Sequence, residues 1–358
     1  MSHNIWFNVS SLYHLPQFLP VYHELELRGI KSQLLIHNKS DAKTLIQHFA
    51  ATSQLRFRII EEAAVTAHYQ QEEPDWIIFG NNYSELSQLP EKTRTALLYH
   101  GIGTKACYYA EDLSHFDVRF TEGPHRQQQL QNLYPQACFI QSGFAKLDPL
   151  APINLPYPQA FKPEQHGLSS NKPTLLYAPT FYPSSIECMP RDWPALLPDC
   201  NIIIKPHLNS YLHPNYKAQR KCFQAWSKHN NTYLAPPEEL SLLPYMATAD
   251  LLISEASSAL FEFAALNKPV VWLDFLKLRW SYRGPLRFRF EKRMDQTITP
   301  YQTLAAHVEK PSQLVKILKA ELSNPERLSS ERNRTTEELI GTLDGKVSER
   351  IVNYLLNN

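Results

Sequence analysis

Four short clusters in this 358-residue chain combine side chains that can move protons or hold anionic groups, and each follows an apolar run that reads as a strand. The first is Tyr99-His100-Gly101-Ile102-Gly103-Thr104-Lys105. A histidine at a strand exit, two glycines that let backbone approach a ligand, and then a lysine suit a general base beside an anionic substrate. A capping histidine with turn glycines is the plainer alternative. The second, Tyr177-Ala178-Pro179-Thr180, offers a hydroxyl to a phosphate or ribose, although Pro-Thr pairs are common strand punctuation. The third, Ile202-Ile203-Ile204-Lys205-Pro206-His207, sets a cation and a titratable donor at the exit of a buried strand. The chain has 14 histidines; beyond His100 and His207, His115, His125, His213 and His229 fall in polar contexts and are read as solvated surface.

The fourth cluster spans Leu252–Glu262, where a strand runs through Ser257-Ser258 into an amphipathic helix. Hydroxyls and unpaired backbone N–H groups then converge at a helix N-terminus, which suits phosphate or pyrophosphate. An ordinary serine N-cap is the alternative. Glu255 and Glu262 flank the pair and would serve as acceptors for ribose hydroxyls.

The elements that must carry these clusters are short β-rich runs alternating with helix-length amphipathic segments, the pattern of βαβ units around a parallel sheet. Strands are expected at 5–9, 33–37, 56–60, 75–79, 96–99, 118–120 and 138–141, then at 174–178, 202–205, 232–234, 251–254 and 270–273. Helices are expected at 16–28, closed by Gly29, and at 41–51 with Asp41 as N-cap, then at 215–228, 238–247 and 257–266. After Asp274 the patterns are mostly helical, ending at 344–355. Residues 149–173 carry Pro149, Pro152, Pro156, Pro158, Pro163 and Pro173 without sustained periodicity, as a connection would. The expected fold class is therefore α/β of the GT-B type. A Rossmann-like domain at 1–150 and a linker at 151–173 would precede a Rossmann-like, nucleotide-donor domain with a helical tail at 174–358. The ligand would lie in the cleft that two such sheets face. Neither G-x-G-x-x-G nor G-x-x-x-x-G-K-[ST] occurs, which removes the main support for dinucleotide oxidoreductases and P-loop nucleotidases.

Composition narrows the rest. With 36 Lys+Arg against 35 Asp+Glu the formal charge is +1, which argues against a nucleic-acid wrapper. Ten glycines, where average usage of ~7% gives about 25, leave none between Pro173 and Arg283. A phosphate site in that half has to be built from Ser, Thr and a helix N-terminus. Five cysteines without C-x-x-C spacing indicate neither a disulfide framework nor a zinc site, and a reducing compartment is expected. No apolar run of 18 residues and no signal-peptide pattern is present, so the expectation is a cytoplasmic protein, at most peripheral to the inner face of the cell membrane. For such contact the stretch Phe275–Arg293 is the candidate, with seven cations interleaved with Trp280, Tyr282, Phe288 and Phe290. A solvated face over packed aromatics is the alternative.

Taken in order, six segments resemble the CDP-glycerol glycerophosphotransferase family, the poly(glycerol-phosphate) primases and polymerases of teichoic-acid and capsule synthesis. They are His100-Gly-Ile-Gly-Thr-Lys105, Gly143-Phe-Ala-Lys-Leu-Asp148, Tyr177-Ala-Pro-Thr180, Lys205-Pro-His207, Ser254–Glu262 with Asn267-Lys-Pro269, and Asp344-Gly-Lys-Val-Ser-Glu-Arg350. The resemblance implies His100 as the base that deprotonates the acceptor hydroxyl and His207 as a second histidine at the phosphoryl group. It implies Thr180, Ser257 and Ser258 as contacts to the donor diphosphate; Lys105 and Lys205, at the exits of their strands, are expected to neutralise developing charge. The chain departs from the family's H-G-T-P at His100-Gly-Ile-Gly103, from its Asp-Tyr-Ser-Ser at Glu255-Ala-Ser-Ser258, and from its proline at Leu208. Those changes leave the donor open among glycerol, ribitol or another polyol. The implied reaction is transfer of an alditol phosphate from a CDP-activated donor to a glycan or lipid-linked acceptor with release of CMP. No cofactor is implied, and no metal, since no D-x-D pair occurs. A nucleotide-sugar glycosyltransferase on the same fold is the alternative enzyme, and a silent polymer-binding module the alternative outside catalysis.

Overall fold

A computed structural model describes residues 3–103 and 105–358. Thr104 of the first cluster, like Met1 and Ser2, lies outside the described residues. The chain divides into two compact units: residues 1–102, 108–155 and 337–358 form the first, and 103–107 with 156–336 the second.

The first unit holds seven strands, β1 (Asn4–Val9), β2 (Lys31–Asn38), β3 (Phe57–Glu61), β4 (Trp76–Phe79), β5 (Arg94–Leu98), β6 (Val118–Thr121) and β7 (Phe139–Gln141). All pairings are parallel and the order is 3-2-1-4-5-6-7, a doubly wound sheet whose direction of winding reverses between β1 and β4. Each strand alternates with a helix or turn, including α1 (Leu15–Leu27), α2 (Lys43–Thr52), α3 (Val65–Glu72) and α4 (Pro124–Leu133). Helix α1 forms because Leu15, Phe18, Tyr22 and Leu25 recur on one face and Pro16 sits in its first turn. It ends where Gly29 adopts φ 69°, a left-handed turn that glycine takes without a Cβ penalty. Asp41 does not cap α2: it lies in a preceding 3-10 turn, and Ala42 occupies the cap position.

The second unit repeats the winding with six parallel strands in the order β10-β9-β8-β11-β12-β13. They are β8 (Thr174–Tyr177), β9 (Asn201–Ile204), β10 (Thr232–Leu234), β11 (Leu251–Ser254), β12 (Val270–Leu273) and β13 (Ala306–Val308). The helices are α5 (Leu208–Leu212), α6 (Lys217–Trp226), α7 (Leu243–Thr248), α8 (Ser258–Ala264), α9 (Phe288–Arg293), α10 (Leu314–Ser323) and α11 (Ser329–Leu339), whose last residues, from Glu337, already belong to the first unit. One face of the sheet is covered by Trp193, Trp226, Phe223, Leu314 and Leu318. The three-residue edge strand β13 breaks the helical expectation beyond Asp274; it is too short to show a period of two.

Two expected boundaries move. Residues 156–173 are not a free linker: Phe161 is buried against Tyr233 and Tyr245, its N–H donates to Pro244 O at 3.0 Å, and its carbonyl accepts from the Thr248 hydroxyl at 2.6 Å. The proline-rich stretch thus belongs to the second unit. The C-terminal helix α12 (Val347–Asn357) instead belongs to the first. Asp148 accepts from the backbone of Val347 at 3.1 Å and of Ser348 at 2.7 Å, and from the Ser348 hydroxyl at 2.6 Å. Arg350 donates to Ser142 O and pairs with Asp344 at 2.6 Å. Gly143 leaves room for Val347, whose methyl would lie 2.7 Å from any Cβ there. The segments 143–148 and 344–350 are therefore two halves of one lock that docks a helix. Both units are Rossmann-like, as the GT-B reading of the sequence expects.

Candidate active site

In the second unit three adjacent strands, β9, β8 and β11, end at one level, Ile204 beside Tyr177 and Tyr177 beside Ile253. Here the winding reverses between β8 and β11, the place where open α/β sheets bind ligands. The segments leaving these strands are zipped together by backbone bonds: Lys205 N–H to Tyr177 O at 2.9 Å, His207 N–H to Pro179 O at 3.3 Å and Ala178 N–H to Ile253 O at 3.0 Å. The structure therefore brings Thr180, Lys205, His207, Ser257 and Ser258 to the carboxyl ends of neighbouring strands.

Glu255 and Glu262 do not join them as exposed acceptors. Glu255 is 1% exposed, and its carboxylate accepts from Thr180 N–H at 2.8 Å, Ser185 N–H at 2.7 Å, the Ser184 hydroxyl at 3.4 Å and the Ser185 hydroxyl. It organises the 180–185 loop from below. Burial pushes its pKa up, and the bonds from Ser185 and Thr180 oppose that rise. Glu262 lies wholly buried in α8. With both carboxylates inside the protein, the reading of either as a ribose acceptor gives way to a supporting role. Tyr177 belongs to the same support, packed on Trp193 and Trp226 with its hydroxyl 2.7 Å from Ser185 Oγ. Asn267-Lys-Pro269 is structural too. Asn267 takes φ 53°, and Lys268 donates to the carbonyls of Met246, Ala247 and Ala249 at the end of α7. Ser257 occupies the cap position of α8 but makes no capping bond; its hydroxyl instead meets Ser254 Oγ at 3.0 Å.

The two histidines are held as opposite tautomers. Gly80 O lies 2.8 Å from His100 Nδ1; a carbonyl only accepts, so Nδ1 carries the proton and Nε2 is the basic nitrogen of the neutral ring. His207 caps α5 with Nδ1, which accepts from Asn209 N–H at 3.1 Å, so its Nε2 carries the proton. Phe181 packs on the His207 ring at 4.7 Å. His100 follows β5 in the first unit, with Gly101 buried beside it, whereas Gly103 and Lys105 belong to the second unit. Lys105 forms an isolated antiparallel bridge with Met294, and burial, then Arg293, lowers its pKa.

Sequence reasoning missed the surroundings of His100. Its ring stacks on Tyr99 at 4.8 Å and His14 at 5.0 Å, and Tyr13 stands edge-on at 4.8 Å. His14, His37 and His68 are buried, so the non-site histidines are not all surface. A lone histidine in the short 3-10 turn Leu12–His14, between β1 and α1, carries no spacing signal that would have singled it out. Asn209, Ser184 and Ser185 were equally invisible, since their bonds depend on where the loop path sets them. Among the described residues no group of three or more His, Cys, Asp or Glu side chains is placed to hold a metal ion.

Comparison with known proteins agrees with the fold. The wall teichoic acid polymerase TagF superposes with a TM-score of 0.69 at 13% identity, covering 99% of this chain and 88% of that one. A TagF variant soaked with CDPG gives 0.68 at 13% identity, over 100% and 88%. A UDP-GlcNAc 2-epimerase from Neisseria meningitidis, bound to UDP-GlcNAc, gives 0.62 at 16% identity over the whole of both chains. At such identities these likenesses establish the fold. No curated protein matches the sequence. The family model described as CDP-glycerol:poly(glycerophosphate) glycerophosphotransferase matches residues 104–357, which include Lys105, Thr180, Lys205, His207 and the 255–262 segment and begin just after His100. The chain belongs to this glycerophosphotransferase family.

Proposed function

We propose that the chain carries out its family's transfer of glycerol phosphate from CDP-glycerol with the second unit holding the donor and His100 of the first supplying the base. The single observation that carries the residue roles is the pair of fixed tautomers. With Nδ1–H committed to Gly80 O, His100 offers Nε2 to the proton of the acceptor hydroxyl. With Nδ1 committed to Asn209, His207 presents Nε2–H to a phosphoryl oxygen. The acceptor oxygen forms a bond to the phosphorus bearing glycerol as the bond to the cytidylate oxygen breaks; the hydroxyl proton passes to His100 and CMP leaves. Thr180, Ser257, Ser258 and Lys205 contact the diphosphate, and Lys105 adds charge. The acceptor is a glycan or lipid-linked chain in teichoic-acid-like or capsule synthesis. CMP release from CDP-glycerol tests the assignment, with His100→Ala and His207→Ala each expected to lose on the order of 10²–10⁴ in kcat. Wild-type turnover by His100→Ala would remove the base.

Among the described residues no helix is long and apolar enough to cross a membrane. Peripheral contact is proposed through 275–293, where Trp280 is 85% and Phe288 56% exposed between Arg283, Arg287 and Arg289. Exposed aromatic side chains flanked by cations suit an anionic bilayer. Flotation with phosphatidylglycerol vesicles, lost in Trp280→Ala/Phe288→Ala, is the expected result; absence of flotation by the wild type ends the idea.

A further inference from the structure

His14 lies outside every motif read from the sequence and outside the residues matched by the family model. It follows β1, is 1% exposed, and neither ring nitrogen has a hydrogen-bond partner. Burying two unsatisfied polar atoms costs stability that a phenylalanine of similar breadth would not. The site is nevertheless shaped around this imidazole. A Cβ on residue 80 would lie 2.9 Å from His14 Cγ and Nδ1, so Gly80 has no side chain where the ring sits. Phe18 closes on it at 5.9 Å and Tyr13 at 4.5 Å, both edge-on. His100 stacks on it at 5.0 Å with 24° between the planes. One glycine thus serves both rings, since its bare Cα admits His14 and its carbonyl orients His100.

We propose that His14 is a positioning residue for His100, a buried imidazole that fixes the plane of the base and stabilises the proton the base takes from the acceptor hydroxyl. The proposal rests on the assignment of His100 as that base. A partner stacked on a ring that becomes cationic must itself stay uncharged. Burial, and then His100, His37 and Lys39, hold the pKa of His14 well below its ordinary value. His37, at the end of β2, is itself pushed down to about 4 by burial and then Lys39, with Glu62 opposing. A neutral imidazole keeps an in-plane dipole that a phenyl ring lacks, and the burial of His14 strengthens that dipole's effect on the ring stacked against it. His14 takes no proton in the step.

The full chain, assayed for CMP release with CDP-glycerol and a glycerol-phosphate-primed lipid acceptor, separates the roles. His14→Phe keeps the stack and removes the nitrogens. Its expected behaviour is a melting temperature equal to or above wild type, an unchanged KM for CDP-glycerol, a kcat lowered on the order of 10- to 100-fold, and an acid limb of kcat/KM displaced to lower pH. His14→Ala loses more. Wild-type kcat and pH limb in His14→Phe, with His100→Ala inactive, overturns the proposal and leaves the base in place. Turnover by His100→Ala instead removes the base assignment, and His14 falls with it. Ring-nitrogen NMR of the wild type tests the idea without any variant: His14 stays neutral while His100 gains its proton, and a His14 titrating near 6.5 refutes it.

Discussion

Substituting Glu255 separates the charge of the buried carboxylate from its shape. Oε1 accepts from Ser185 N–H and from the hydroxyls of Ser184 and Ser185, while Oε2 accepts from Thr180 N–H. In Glu255→Gln the amide oxygen takes the Oε1 position and keeps its donors, and the NH₂ group turns toward Thr180 N–H, donor against donor. One unsatisfied buried N–H costs about 1–3 kcal/mol. Relief from desolvating a carboxylate offsets part of this, so the net loss is about 1 kcal/mol. Glu255→Ala leaves all four donors without their acceptor and costs about 3–5 kcal/mol. Urea unfolding followed by tryptophan fluorescence measures both. Because the glutamine defect centres on Thr180, KM for CDP-glycerol rises about 5- to 20-fold, the equivalent of about 1–2 kcal/mol. The folded pKa of Glu255 is raised above its ordinary 4.5. Its contribution to stability is therefore fully present below about 4.5 and is lost as pH rises through the folded value. Glutamine does not titrate, so the stability gap between wild type and Glu255→Gln is largest in acid and narrows toward neutrality. A Glu255→Gln variant as unstable as Glu255→Ala, or a gap that widens with pH, would refute the reasoning.

Two further outcomes follow from the same physics. Asp148→Ala leaves two N–H groups and a hydroxyl at the start of α12 without their acceptor; hydrogen exchange of residues 347–352 should accelerate on the order of 100-fold, equivalent to about 3 kcal/mol, and unchanged protection would contradict the lock. His307 places Nδ1 2.9 Å from Asp274 Oδ2 and Nε2 3.1 Å from Gln302 O, two acceptors that call for a doubly protonated ring. The Asp274 hydrogen bond raises its pKa above 6.5, so its stabilisation is complete below 6.5 and disappears as pH rises through the folded value. Melting curves of wild type and His307→Gln should converge above that window, and parallel curves across pH would exclude the effect.

The strands were legible because most are buried parallel strands rich in β-branched residues, so that Ile202-Ile203-Ile204 admits no amphipathic alternative. The placement of the turns that carry Thr180, Lys205, His207, Ser257 and Ser258 was legible for the same reason, since a polar residue after such a strand has to emerge at its carboxyl end. Orientation was not legible. Glu255 reads like an exposed acceptor, yet its four donors come from a loop 70 residues away whose path no spacing encodes. The prolines around Phe161 suggested a spacer because aperiodicity looks alike whether a segment is solvated or pinned by a single aromatic. His14 and His37 were passed over because a histidine's burial depends on what other strands bring to it. Segments 143–148 and 344–350, similar as they are to family motifs, serve each other; resemblance marked them without distinguishing chemistry from docking.

The docking of α12 has a consequence for how the chain is made. The first unit is assembled from three stretches of sequence, and the last of them leaves the ribosome after the whole of the second unit. Until it does, Trp76 and Phe120 lack Tyr354, and the face that receives Val347, Ile351, Val352 and Leu355 stays open. The second unit, contiguous apart from residues 103–107, can close during synthesis, as domains generally do in order of translation. The unit that carries His100 therefore begins first and finishes last, so a nascent or 3′-truncated product holds a completed second unit and an unfinished first.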